Sequence, residues 1–125
     1  MSEVKNATIQ DVIAKRKEHS KRHVDTKLIM RAYNYAVNLH GDQKRKSGEP
    51  YIIHPLDVAY ILADIGLDDK TVCAALLHDV VEDTKASQED ITKEFGQEIS
   101  DMVAGVTKLS KISFASVEEQ QVENY

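Results

Sequence analysis

Apolar positions along this chain fall into a few helical patterns, and one of them differs from the rest. From Thr71 to Thr84 the sequence reads Thr-Val-Cys-Ala-Ala-Leu-Leu-His-Asp-Val-Val-Glu-Asp-Thr, an apolar run that carries one histidine and three acids. At about 100° per residue, the apolar side chains from Val72 to Val81 point in nearly every direction, the pattern of a helix covered on all sides. The other segments each have one apolar face. Ile9, Val12 and Ile13 predict one or two amphipathic turns near the start. Leu28, Ala32, Tyr35, Ala36 and Leu39 predict a longer helix, capped by Asp25 or Thr26 and closed by Gly41. A third helix opens at Pro55, buries Leu56, Ala59, Leu62 and Ala63, and stops at Gly66; Asp68 or Asp69 then caps the central run.

Beyond the central run, Ser87-Gln-Glu-Asp90 is a variant capping box for a short helix with Ile91 and Phe95, closed by Gly96. The next helix spans about 97–109, with Ile99, Met102, Val103 and Val106 on one face and Gly105 marking a close helix contact. Ser116-Val-Glu-Glu119 is a second capping box, opening a helix that has run only to Tyr125 when the sequence stops, as if an element continued further. No stretch alternates with period two, so the expected class is all-α, a bundle of about five to six helices.

The central helix carries the candidate chemistry. Setting His78 at 0° puts Asp79 at about 100°, Glu82 at about 40° and Asp83 at about 140°, so four polar groups share a stripe near its C-terminal end. Three carboxylates within two turns repel one another, and each is penalised by burial unless a partner is supplied. A divalent cation bound by His78 and Asp79, with Glu82 and Asp83 left to handle water and protons, answers both problems. The plainer alternative is a hydrogen-bonded His-Asp core pair or a capping arrangement.

Two nearby segments weigh on that choice. Tyr51-Ile-Ile-His54-Pro55 reads as an extended approach that holds His54 at the mouth of the helix beginning at the proline, where it could also merely cap. Before it, Gly41-Asp-Gln-Lys-Arg-Lys-Ser-Gly-Glu-Pro50 is a loop with three consecutive cations beside a hydroxyl. Lys44, Arg45, Lys46 and Ser47 could seat phosphate oxygens there, and the Arg45 guanidinium could lie flat on a nucleobase. Three basic residues in a loop are also commonly just solvated.

Composition narrows the classes. With 125 residues, 42% of them hydrophobic and 30% charged, the sequence suits one soluble domain, and no apolar run reaches the roughly 18 residues of a membrane span. The N-terminal twenty residues include Lys15, Arg16 and Lys17 but no apolar core of a secretory signal, so the expected location is cytoplasmic. A net charge of −5 argues against a general nucleic-acid surface. Residues 15–23, which include His19 and His23, read as a basic, solvated connection between helices. The lone cysteine, Cys73, sits among Val72, Ala74 and Ala75 as a packing residue.

Taken together, Arg45-Lys-Ser-Gly-Glu-Pro-Tyr-Ile-Ile-His54-Pro, Ala75-Leu-Leu-His78-Asp79-Val-Val-Glu82-Asp83-Thr and Gly105-Val-Thr-Lys-Leu109 strongly resemble the hydrolase domain of RelA/SpoT-type stringent-response enzymes. These belong to the all-helical His-Asp (HD) metal phosphohydrolases. The likeness divides the chain into an N-terminal helix with a basic connector, 1–24, and a partial HD hydrolase domain, 25–125.

The resemblance implies manganese-dependent hydrolysis of guanosine tetra- or pentaphosphate, (p)ppGpp, at the 3′ pyrophosphate. His54, His78 and Asp79 would be metal ligands, Glu82 and Asp83 the water-activating acids, and Arg45, Lys46 and Ser47 the nucleotide contacts. It also implies a fourth ligand, an aspartate beyond the position matching Tyr125. A chain ending there would bind metal weakly or not at all and could itself be inactive, and it would expose apolar surface on the central helix that invites homo-oligomers. Two other readings stay open: a non-catalytic helical nucleotide-binding or regulatory module, and an HD phosphohydrolase for another nucleotide.

Overall fold

Side-chain caps set most of the helix boundaries. Thr8 and Asp11 bond reciprocally across the first turn of α1 (Ile9–His19), and Asp25 accepts the Leu28 N–H at the start of α2 (Thr26–His40). Asp68 accepts the Thr71 N–H to open α4 (Asp69–Leu77), and the bonds from Thr71 hold its carboxyl below the usual carboxylate range. Ser87 and Asp90 form the expected capping box of α6 (Gln88–Phe95). Gly41 and Gly96 take φ of 54° and 97°, which only glycine adopts without strain, and so end α2 and α6.

With α3 (Ile53–Asp64), α5 (Val80–Asp83) and a last helical run, α7 (97–108), these elements make an all-helical bundle. The computed structural model describes residues 7–20, 22–41, 43–44 and 48–108. The capping box at Ser116 and the helix expected after it lie outside the described residues.

The central run sits where its pattern puts it. α4 packs against both α2 and α3, α1 lies across α3, and every side chain from Val72 to Leu77 is fully buried. Alanines at 32, 36, 59, 63, 74 and 75 are also fully buried, and their small size lets the three backbones approach closely. The buried face of α2 is Ile29, Ala32, Ala36 and His40, while Leu28, Tyr35 and Leu39 are half-buried at its flanks.

Several expectations need correction. The basic segment is not a solvated connection throughout, because α1 continues to His19. Arg16 is only 6% exposed and donates from Nε to Asp69 Oδ1 at 2.7 Å. The other Asp69 oxygen accepts the Asp25 N–H, so one carboxylate joins α1, the start of α2 and α4.

α3 begins at Ile53 rather than at the proline, which places His54 inside the first turn. There the missing proline N–H costs no helical hydrogen bond, so Pro55 is tolerated. Gly105 marks no contact: it is exposed, and among the described residues nothing lies within 4 Å of where its Cβ would be. Nor does the central helix expose large apolar side chains; among the described residues those that are exposed are Ile61, Ile65 and Leu67.

Because Asp69 pairs with the largely buried Arg16 guanidinium, Arg16→Met should destabilise the fold by about 3 kcal/mol. That is a large share of the roughly 5–15 kcal/mol typical of a domain. Urea denaturation would measure it, and adding Asp69→Asn should recover part of the loss.

Candidate metal and acid site

The central helix is interrupted where its polar residues begin. His78 Nδ1 lies 2.6 Å from the Ala75 carbonyl oxygen, and that oxygen also accepts the His78 backbone N–H at 3.4 Å. This three-residue closure tightens the turn. α4 therefore stops at Leu77, and the chain resumes at Val80 as the single turn α5. His78 and Asp79 keep right-handed angles (φ/ψ of −64/−29° and −89/−8°), so the direction shifts without reversing. The even stripe drawn on one continuous helix is thus replaced by a kinked one. Thr107 supports the kink from α7, with its hydroxyl 3.3 Å from the His78 carbonyl and 3.0 Å from that of Val103.

The short bond to Ala75 decides the tautomer of His78. A carbonyl can only accept, so Nδ1 carries the proton, and in the neutral ring Nε2 is a bare lone pair. That lone pair faces Asp79 Oδ1 at 3.3 Å, while Asp79 Oδ2 lies 3.8 Å from His54 Nε2. The two imidazole centroids are 5.4 Å apart. One donor atom from each of His54, His78 and Asp79 falls within 4.8 Å of the others. His78 is 6% exposed, and His54 and Asp79 are half-buried. Nitrogen and carboxylate donors converging in this way make a group that could hold a metal ion.

A second convergence adjoins the first. Asp79, Glu82 and Asp83 also bring one oxygen each within 4.8 Å. Asp79 belongs to both groups, Asp83 is half-buried and Glu82 is exposed. A proton acceptor at this position would stand one turn from the imidazole group and open to solvent.

Arg45, Lys46 and Ser47 lie outside the described residues. The ends of their segment are described: Lys44 and Pro50 pair in an antiparallel bridge, and the Tyr51 N–H donates to the Gln43 carbonyl at 3.1 Å. Both ends reach the acids. Tyr51 Oη donates to Asp83 Oδ2 at 2.7 Å, and Gln43 Nε2 donates to the Asp83 carbonyl at 2.7 Å. Residue type and spacing did not single out Tyr51, Gln43, His40 or Thr107, because their partners lie 29 to 40 positions away or are found only through the stacked loop. Cys73 is the packing residue its neighbours imply, and burial pushes its thiol up to about 12.

Known proteins bear on this geometry. The family model described as "HD domain" matches residues 32–125. A guanosine-3′,5′-bis(diphosphate) 3′-pyrophosphohydrolase of Aquifex aeolicus is 46% identical over 125 residues, covering 100% of this chain and 17% of that protein. A probable guanosine-3′,5′-bis(diphosphate) 3′-pyrophosphohydrolase of Synechocystis is 54% identical over 98 residues, 78% of this chain and 13% of the relative. A GTP pyrophosphokinase of Myxococcus xanthus is 49% identical over 104 residues, 81% and 14% respectively. This chain therefore spans less than a fifth of the length of these relatives.

Proposed function

The chain belongs to the HD-domain family, and from that premise we propose that it is hydrolase-domain sequence of a cytoplasmic (p)ppGpp 3′-pyrophosphohydrolase that uses manganese. The observation that carries the proposal is the convergence of His54, His78 and Asp79, one nitrogen or oxygen of each lying within 4.8 Å of the others, a set of donors that a divalent cation fits. The names of the Aquifex and Synechocystis relatives supply the substrate.

The donors fit a divalent ion. His54, His78 and Asp79 would hold it through two imidazole nitrogens and a carboxylate, a set that suits manganese and includes no thiolate. The carbonyl of Ala75 fixes one of those imidazoles from behind. When bound, such an ion polarises the phosphoryl group and acidifies bound water.

The chain's own residues would do the remainder. Asp83 or Glu82 takes the proton from the attacking water as its oxygen bonds to the phosphorus attached to the ribose 3′ oxygen. The bond from phosphorus to that oxygen breaks, the 3′ oxygen takes up a proton from solvent as it leaves, and pyrophosphate and GDP or GTP are the products. Arg45, Lys46 and Ser47 would bind the nucleotide, the guanidinium on the base and the ammonium and hydroxyl on phosphate.

Incubating the chain, and a version extended past Tyr125, with ppGpp and Mn²⁺ tests the proposal. Pyrophosphate should appear, stop on chelation, and return when Mn²⁺ is restored in excess. A protein that binds Mn²⁺ and ppGpp yet releases no pyrophosphate would overturn the hydrolase reading.

A further inference from the structure

We propose that Tyr51 and Gln43, braced by His40, are positioning residues that hold Asp83 at its working place. The inference rests on the reading of Asp83 as a water-activating acid.

Asp83 needs outside support. It ends a four-residue helix that follows a break, and one turn has little stability of its own. Its support comes from both ends of the segment that carries Arg45, Lys46 and Ser47. Tyr51 Oη holds one carboxylate oxygen and Gln43 Nε2 holds the main-chain carbonyl, each at 2.7 Å. Side chain and backbone are thus fixed by separate bonds.

The two supports are themselves joined. Since Gln43 donates through Nε2, its Oε1 is the acceptor for His40 Nδ1 at 3.0 Å. The His40 ring, 3% exposed, stacks on Tyr51 with centroids 4.9 Å apart and planes 15° from parallel. The Tyr51 N–H closes the loop onto the Gln43 carbonyl. The end of α2, Gln43, Tyr51 and α5 form one bracket around Asp83. Tyr51 thereby holds one oxygen of the carboxylate, Oδ2.

Tyr51→Phe tests this, because the ring and its stack on His40 remain while the donor to Asp83 is lost. We expect kcat to fall about 10- to 100-fold, KM to change less than about threefold, and the melting midpoint to hold. In an Asp83→Asn background the same change should cost less than about twofold, since a residue acting through Asp83 has nothing left to act on. Equal losses in both backgrounds, or an effect confined to KM, would overturn the proposal.

A wild-type chain without turnover would count against the hydrolase reading alone, and hydrogen exchange then decides the bracket. Tyr51→Phe should speed exchange of the Asp83 and Thr84 amides by on the order of tenfold, with α6 unchanged. Unaltered exchange at both amides would refute it. Gln43→Met, which removes the second bond, provides an independent variant with the same expected pattern.

Discussion

Asp83→Asn is expected to lower ppGpp turnover about 100- to 10,000-fold while nucleotide affinity stays within a few-fold of wild type. The substitution is close to isosteric. Its amide oxygen can still accept the Tyr51 hydroxyl, and the Asp83 main-chain carbonyl keeps its bond from Gln43. What disappears is a group able to take a proton from water at neutral pH. In energy the effect is about 3–5 kcal/mol at the transition state, with little expected in the ground state. Glu82→Gln is the companion measurement. Glu82 is exposed and Asp83 is half-buried, so replacement of Asp83 should cost more. Rates near wild type for both variants would remove the acids from the reaction. Arg45→Ala should act in the opposite sense, weakening binding and leaving the bound complex to react more normally.

The order of legibility follows the range of the interactions. Caps depend on partners three residues apart, which is why Asp25, Ser87 with Asp90, and the stops at Gly41 and Gly96 could be read directly. The buried character of residues 72–77 was equally plain, since apolar residues on every side of a helix leave no face for water. The convergence of His54 with His78 and Asp79 was expected from motifs, and the structure brings the three together.

The kink at His78 was not legible. Neither His78 nor Asp79 is a helix breaker, and both keep helical angles; the interruption comes from a ring nitrogen bonding to a carbonyl three residues back. Arg16 was hidden for another reason. Within a basic run it looks solvated, and only the fold brings Asp69, 53 positions away, against it. The bracket around Asp83 has the same origin, because tyrosine and glutamine carry no signal until the loop and α5 meet.

The kink gives the second large prediction. His78→Asn should lower Mn²⁺ affinity by at least about 100-fold, with a loss of fold stability of no more than about 1 kcal/mol. The asparagine amide nitrogen stands near the place of Nδ1 and can donate to the Ala75 carbonyl, so the bond that shapes the turn has a replacement. Nothing replaces Nε2, the atom that faces Asp79. Loss of a ligand should exceed the 10- to 100-fold that removal of a supporting outer residue typically costs. Calorimetric titration with Mn²⁺ measures the affinity, and urea denaturation without metal measures the fold. His78→Ala should lose both, because the buried carbonyl of Ala75 is then left without its ring partner. The contrast separates the two sides of a single imidazole: one nitrogen bonds the Ala75 carbonyl at the kink, and the other faces Asp79. Undiminished Mn²⁺ binding by His78→Asn would show that the acids are neutralised elsewhere.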